Sequence, residues 1–303
     1  MFAYITAVQS LHRIADLQTI RNHKQEVPTI SIMAPTVLCV RHAQGYHNLG
    51  PEFHSLPDPK LTELGEQQCT ILRESNIFDH SKISLITASP LTRTIHTAYL
   101  SFKPALEGGR CKPEIIAIPD AQETSDFPCD TGSDVDVLQK RCEEEKWPVD
   151  LSRLDKEWNH KSLTSRYSPA GPAIKIRANA ARLQLRQLLK DLVDAGDKDA
   201  VIVLVTHGGY LHYFTDDWED SNKYYGTGWL NTEAREYTYR AGVDSNDEDA
   251  GLVETLGSRT RRGKTTPILK AEEQTEIFHA SHKAWEDNGW IKSSDSAEPA
   301  VQA

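Results

Sequence analysis

Cysteine is scarce in this chain, and no two cysteines stand close together. The five present are an odd number without a CxxC pair: Cys39, Cys69, Cys111, Cys129 and Cys142. The sequence therefore predicts neither a disulfide framework nor a zinc knuckle. Unpaired thiols suit a reducing compartment, so we expect a cytoplasmic protein.

Long apolar runs and a surplus of positive charge are also missing. No run approaches the roughly 18 residues that span a bilayer, so no membrane association is predicted. Lys and Arg number 34 against 44 Asp and Glu, which gives a formal net charge of −10. Because phosphate backbones are bound mainly by basic surfaces, a nucleic-acid partner is not expected. Any anion site must be a local exception in an acidic protein.

Residues 1–34 have no continuous apolar stretch like that of a secretory signal. We expect a disordered extension there. Two alternatives stay open. Basic residues slightly outnumber acidic ones, as in a mitochondrial presequence, and Met33 directly before the first predicted strand is a candidate start of translation. Residues 35–303 are expected to form the folded domain.

Apolar strands and helices alternate after this extension. Short, mostly β-branched runs predict four buried strands: TVLCV from Thr36, ISLITA at 83–88, EIIAIP at 114–119 and AVIVLV from Ala200. Helices are predicted after Thr62, after Ser89-Pro90, and over 174–195. The alternation predicts an α/β fold, a three-layer α/β/α sandwich around a mostly parallel sheet.

Two regions depart from this alternation. The acidic segment at about 125–172, with a short helix over 135–146, is interpreted as a cap inserted over the active edge. REYTYR at 235–240 and LVETL at 252–256 are predicted to be edge strands, before a last helix at about 270–287.

Polar residues follow the carboxyl ends of the four predicted strands. They are Arg41-His42, Ser89-Pro90 with Arg93, Glu123, and His207. Because such ends meet at one edge of a parallel sheet, we expect these residues to share a crevice, with Asn48 nearby.

The residue types in this crevice suit phosphate chemistry. Arg41 and Arg93 can bind a phosphate dianion with paired hydrogen bonds. The neutral imidazole of His42 can attack phosphorus and form a phosphohistidine. Glu123 can protonate the leaving alkoxide and then activate water. His207 is expected to stabilise equatorial charge as a cation or donor.

Four motifs in this order resemble the histidine phosphatase superfamily. They are RHAQGYHN at 41–48, SPLTRTIHTA at 89–98, the Gln-Glu of PDAQETSDFP, and THGG at 206–209. The phosphoglycerate-mutase-like branch is the closer match, and within it fungal phosphomutase-like phosphatases. The resemblance spans about 36–214 and implies that fold.

The resemblance also assigns roles to individual residues. It implies that Arg41, Asn48 and Arg93 contact phosphate, that His42 is the nucleophile, and that Glu123 is the general acid. The second family histidine maps to His207. No cofactor is implied, and the substrate is expected to be a small phosphorylated molecule.

Departures from the family pattern favour hydrolysis over mutase chemistry. Ala43 replaces the usual Gly after Arg-His, which we expect to be harmless. The Arg-His-Gly-x-Arg-x-Pro and terminal His-Asp of acid phosphatases are absent. QETSDFPCDTG lacks the Tyr-containing segment that follows the general acid in phosphoglycerate mutases, and their later paired arginines are also missing.

Several alternatives remain from the sequence alone. Asp120, Asp126 and Asp130 compete with Glu123 for the role of general acid. His47, His54 and His212 are candidate metal ligands with His42 and His207, but their spacing matches no common zinc pattern and nearby arginines would repel a cation. No metal is therefore predicted. Four tryptophans either line the crevice or pack in the core: Trp147, Trp158, Trp218 and Trp229.

The leading hypothesis is a metal-independent phosphatase acting on a small-molecule phosphate monoester. A phosphoglycerate-type phosphomutase is the alternative enzyme. A non-catalytic scaffold that binds phosphorylated ligands is the alternative of another class. The substrate and the oligomeric state are not predicted, because one sequence holds no code for them.

Overall fold

A seven-stranded sheet in the order β4-β3-β2-β5-β1-β6-β7 is the centre of the molecule. The computed structural model describes residues 34–222 and 227–293, so the expectation for 1–34 lies, except at Ala34, outside the described residues. The strands are β1 (Thr36–Arg41), β2 (Ile83–Ala88), β3 (Ile115–Ala117), β4 (Val149–Asp150), β5 (Val201–Thr206), β6 (Ala234–Tyr239) and β7 (Leu252–Glu254).

The mostly parallel sheet predicted from the sequence is confirmed. Strands β1 to β5 run parallel, and β6 and β7 add antiparallel pairings beside β1. The prediction that 235–240 forms an edge strand is wrong, because β6 pairs with β1 on one side and β7 on the other. Its residues Ala234, Tyr237 and Tyr239 are buried, as an interior strand requires.

Helices cover both faces of the sheet, which confirms the three-layer architecture. They are α1 (Glu63–Glu74), α2 (Thr92–Glu107), α3 (Val135–Glu145), α4 (Gly171–Asp194), α5 (Gly208–Thr215), α6 (Leu256–Arg261) and α7 (Ala271–Asp287). Leu72 of α1 and Phe102 of α2 pack on one face, and Leu185 of α4 and Phe214 of α5 on the other. In the described ranges, no helix has the length and apolar character to cross a bilayer.

The start of α2 depends on a residue far away in sequence. Ser89-Pro90 precedes the helix, whose first residue is Thr92. The Asp58 carboxylate accepts hydrogen bonds from the Thr92 N–H (2.8 Å) and hydroxyl (2.6 Å). It therefore satisfies a backbone donor that the first turn of a helix leaves without a partner.

The segment interpreted as a cap packs against α2. Its predicted short helix is confirmed as α3, and its Leu138 and Trp158 pack in a cluster with Leu91 and Ile95. The segment also supplies β4, which was not predicted and extends the sheet beyond β3. The four tryptophans considered for the crevice wall are all buried, at 6% exposure or less, which favours core packing.

The N-cap of α1 makes a testable contribution to stability. Thr62 Oγ1 accepts a hydrogen bond from the Gly65 N–H at 3.0 Å. We expect Thr62→Ala to lower the free energy of unfolding by about 1 kcal/mol, because that donor loses its partner. Urea unfolding measures the change. Thr70→Ala, in the middle of the same helix, is the matched control, and an equal loss in both variants would contradict the capping role.

Candidate active site

The strand ends are in register at one edge of the sheet. Arg41 of β1 lies opposite Thr206 of β5, and the His42 N–H donates to the Thr206 carbonyl at 2.9 Å. The Ser89 N–H donates to the Val205 carbonyl at 2.9 Å. The carboxyl ends of β1, β2 and β5 are therefore level, and the residues that follow them lie side by side at this edge.

The hydrogen bonds of His42 determine its tautomer. The Arg93 Nε–H can only donate, so His42 Nε2, 3.3 Å away, accepts and carries no proton. The proton then resides on Nδ1, which donates to the Ala43 carbonyl at 2.7 Å. Burial lowers the pKa of His42 well below its usual 6.5, and Arg93 and Arg41 lower it further. His42 is thus a neutral imidazole whose unprotonated Nε2 accepts the long hydrogen bond from Arg93 in this structure.

His207 is neutral by the same reasoning. Arg93 Nη2 donates to its Nδ1 at 3.0 Å, so the proton lies on Nε2, which is 2.8 Å from Ser89 Oγ. Burial and then the charge of Arg93 lower its pKa well below 6.5. This differs from the expected cation or donor towards phosphate, because protein groups occupy both ring nitrogens. Its ring centre lies 5.2 Å from that of His42.

Arg93 is fully buried, and its guanidinium joins four groups. One edge faces the two histidines. On the other edge, Nη1 donates to the Cys129 carbonyl (2.5 Å) and Nη2 donates to Asp130 Oδ1 (2.7 Å). Asp130 therefore holds the cation in place, and its second oxygen accepts from Ser125 Oγ at 2.5 Å.

Arg41 extends from β1 towards the segment before β6. Its Nη1 donates to Thr227 Oγ1 (3.2 Å) and to the Trp229 carbonyl (2.5 Å), while its buried Nε has no hydrogen-bond partner among the described residues. Burial lowers the pKa of Arg41 to about 10, so it stays cationic at neutral pH. A Cβ on Gly208 would lie 3.2 Å from Arg41 Nε, so glycine allows this close approach.

Glu123 lies at the amino terminus of α5. Its carboxylate accepts from the N–H groups of Tyr210 (2.9 Å), Gly209 (3.3 Å) and Thr124 (2.8 Å). Burial raises the pKa of Glu123 above its usual 4.5, and Asp130 raises it further, while the Thr124 N–H opposes the shift. The result is a carboxyl group that holds a proton to higher pH than usual.

Two buried cations hold the backbone of Glu123. Lys161, from the inserted segment, donates to the carbonyls of Glu123 (2.8 Å) and Ser125 (2.7 Å), and Arg177 Nη2 donates to the Glu123 carbonyl at 2.9 Å. Burial lowers the pKa of Lys161 to about 7. No sequence signal pointed to Lys161 or Arg177, because their partners are carbonyl oxygens distant in sequence.

A cavity of about 890 Å³ opens at these groups. Arg41, His42, Asn48 and Glu123 line it. Arg93 and His207 do not, although both contact His42. The Gly45 N–H donates to Asn48 Oδ1 at 3.1 Å, which orients the amide and leaves its NH₂ group as a donor.

The three aspartates that compete with Glu123 have different surroundings. Asp120 forms a two-point ion pair with Arg166, at 2.6 and 2.8 Å. Asp126 is exposed and lies 3.6 Å from Lys292. Only Asp130 of the three lines the cavity, and its carboxylate is bound to Arg93. Glu123 is the carboxyl in the cavity wall whose pKa burial raises.

The histidines considered as metal ligands are dispersed. His47 lines the cavity, with its ring centre 5.3 Å from that of His42, and His54 stacks on Phe127 at 5.5 Å. His212 is buried, with ring nitrogens against backbone carbonyls. Among residues 34–222 and 227–293, no group of three or more His, Cys, Asp or Glu is arranged to hold a metal ion.

Comparisons with known proteins match the first half of this site. The family model "Histidine phosphatase superfamily (branch 1)" matches residues 37–109, which include Arg41, His42, Asn48 and Arg93. Phosphoglycerate mutase-like protein 1 of Arabidopsis thaliana is 42% identical over 74 residues. Residues 37–109 are thus similar to the histidine phosphatase superfamily. The match to the plant protein spans 21% of this chain and 26% of that protein's length.

Solved structures of low sequence identity also resemble this chain. A mutant phosphoserine phosphatase from Entamoeba histolytica in complex with phosphoserine is 18% identical, covers 75% of this chain and 98% of its own, and has a TM-score of 0.42. A phosphoglycerate mutase from Bacillus anthracis is 16% identical, covers 77% and 96%, and has a TM-score of 0.43.

Proposed function

We propose that this protein is a phosphatase that hydrolyses a small-molecule phosphate monoester through a phosphohistidine on His42. The observation that carries the proposal is the state of the His42 imidazole. Arg93 donates to Nε2 and Nδ1 donates to a carbonyl, so Nε2 is unprotonated, and His42 lines the cavity. A neutral, oriented imidazole is what nucleophilic attack on phosphorus requires.

In the first step, His42 Nε2 forms a bond to phosphorus while the bond to the ester oxygen breaks. The departing oxygen takes the proton of Glu123 and leaves as the alcohol. Arg41 and the Asn48 amide stabilise the equatorial oxygens of the transferring group, and the buried Arg93 adds its positive charge from behind His42. His207 orients Arg93, and a bound dianion would favour its protonation.

In the second step, water attacks the phosphohistidine. The Glu123 carboxylate accepts a proton from the water, the N–P bond breaks, and phosphate leaves. His42 returns to its neutral form and Glu123 to its acid. The cycle consumes one ester and one water and releases one alcohol and one phosphate.

Metal independence is part of this proposal. Two guanidinium groups supply the charge that a transferring phosphoryl group needs, and a divalent cation placed beside them would be repelled. The chemistry therefore rests on arginine and imidazole.

A phosphate-release assay with an aryl phosphate tests the proposal. We expect turnover by the purified chain to be the same with and without a strong chelator. Strict dependence on an added divalent metal would refute metal independence. Phosphate transfer between the hydroxyls of a sugar acid, faster than release to water, would instead support a phosphomutase.

A further inference from the structure

The outer wall of the active-site cavity is apolar. Its lining includes Leu49, Pro51, Phe127, Leu230 and Trp290. Leu49 and Leu230 are 50% and 51% exposed, respectively. Single exposed apolar residues are ordinary, but several that converge on one cavity mark a surface that binds an apolar group.

These residues come from four separate parts of the chain. Leu49 and Pro51 follow β1, Phe127 precedes α3, Leu230 precedes β6, and Trp290 follows α7. His54 stacks on Phe127 at 5.5 Å and extends the flat surface of that wall. The site thus combines polar groups around His42 with several apolar side chains, of which Leu49 and Leu230 are half exposed.

The described lining offers little positive charge to a second anionic group on the substrate. Arg41 carries a permanent positive charge, but the proposed phosphate site uses it, and the carboxylate of Asp130 is paired with Arg93. Other polar lining residues include the amides of Asn231 and Asn288. A carboxylate or a second phosphate on the leaving group would therefore lie against neutral polar groups or apolar surface.

The size of the cavity also favours a substrate with a large apolar group. Its volume of about 890 Å³ lies in the upper part of the range of roughly 300–1,000 Å³ that small-molecule sites occupy. A three-carbon sugar acid would leave most of the apolar wall in contact with water. A larger apolar group would cover it.

We propose that the leaving group of the substrate is a bulky, uncharged, apolar alcohol, aryl or long alkyl, and not a sugar acid or a polyphosphate. This inference rests on the proposed phosphatase function and specifies its substrate class. The phosphate binds at Arg41 and His42, and the apolar alcohol lies against Leu49, Phe127, Leu230 and Trp290.

A series of phosphate esters with leaving alcohols of similar acidity tests the inference. We would measure kcat/KM of the full chain for straight alkyl phosphates of two to eight carbons, for glycerol phosphate and for 3-phosphoglycerate. Burial of each methylene should raise kcat/KM about fourfold until the wall is covered. Hexyl phosphate should therefore exceed glycerol phosphate by about 50-fold or more, and 3-phosphoglycerate should be slower still.

Two variants test whether the apolar lining residues cause the preference for long alkyl esters. Leu49→Asn and Leu230→Asn keep side-chain size but make the wall polar, and both positions are half exposed, so folding should be retained. Each should lower the ratio of kcat/KM for hexyl to glycerol phosphate about fivefold. Ile71→Asn is the matched control, because Ile71 is 68% exposed on α1 and is not in the cavity lining. It should leave the ratio unchanged.

The outcomes separate the two proposals. Phosphate release from all esters at equal rates, or fastest from 3-phosphoglycerate, would overturn the substrate class and leave the phosphatase function standing. An equal fall in the hexyl-to-glycerol phosphate ratio of kcat/KM in Ile71→Asn would also overturn the substrate class and leave the phosphatase function standing. No release from any ester would refute the phosphatase function and the substrate class with it.

Discussion

His42→Ala is expected to lower the turnover of an aryl phosphate by about 10⁴-fold or more, the largest effect of any single substitution proposed for this chain. The change removes the atom that forms the bond to phosphorus, and no other group in the described cavity lining can replace it. His47 is near, but its ring centre is 5.3 Å away and its buried Nδ1 has no hydrogen-bond partner to orient it.

The covalent intermediate gives this prediction a second readout. A denaturing quench during turnover of a phosphorus-labelled ester should trap labelled wild-type protein, with the acid lability of a phosphoramidate, and no label on His42→Ala. His160→Ala is the matched control, because His160 is largely exposed and does not line the cavity. A His42→Ala protein that kept a tenth of wild-type turnover, or that was still labelled, would refute the nucleophile.

Glu123→Gln is expected to lower kcat for an alkyl phosphate by about 10²- to 10⁴-fold, since the amide cannot deliver a proton to the leaving oxygen. The amide oxygen can still accept from the Tyr210 N–H, so folding should be retained. The loss of kcat/KM, which reports the step in which the alcohol leaves, should be much smaller for a nitrophenyl phosphate, because its leaving group needs no proton. An equal loss of kcat/KM with both esters would contradict the role of general acid.

The dependence of kcat on pH should differ between the wild type and Glu123→Gln. Burial raises the pKa of Glu123 and lowers that of His42. The acid form of Glu123 donates, so wild-type kcat should fall as pH rises through its raised pKa. The neutral form of His42 attacks, so activity should persist to pH well below 6.5 before protonation removes it. The wild type should therefore be most active between the lowered pKa of His42 and the raised pKa of Glu123.

The alkaline fall of that profile identifies the acid. It should disappear in Glu123→Gln and remain in Asp126→Asn, because Asp126 is exposed and lies outside the cavity lining. Asp130→Asn should weaken the hold on Arg93 and lower kcat/KM while keeping the alkaline fall. An alkaline fall that vanished with Asp130 and not with Glu123 would transfer the acid role to Asp130.

Local sequence determined the central strands and the residues attached to their carboxyl ends. A parallel strand that is buried on both faces must be apolar throughout, so β1, β2 and β5 stand out from the sequence within one residue of their ends. Arg41, His42 and His207 lie directly at those ends. Their placement at one edge therefore results from strand identity and from parallel pairing.

The pattern of apolar residues does not tell an edge strand of the sheet from an interior strand. β6 is short and contains Arg, Glu and Thr, which are typical of a strand exposed on one side. Its interior position depends on pairing with both β1 and β7, and the polar Arg235 is accommodated over the ring of Trp229 at 3.6 Å. The pairing with β1 joins residues roughly 200 positions apart.

Tertiary structure alone decided how the site groups are held and charged. The bonds of Arg93 to Asp130 and of Lys161 to the Glu123 carbonyl each join residues more than 35 positions apart. No residue spacing encodes such contacts, because they depend on how the inserted segment folds back over α2. The same burial sets the protonation of Glu123 and His42. The sequence thus predicted the candidate reacting groups, while desolvation in the folded chain shifts their pKa values, upward for Glu123 and downward for His42.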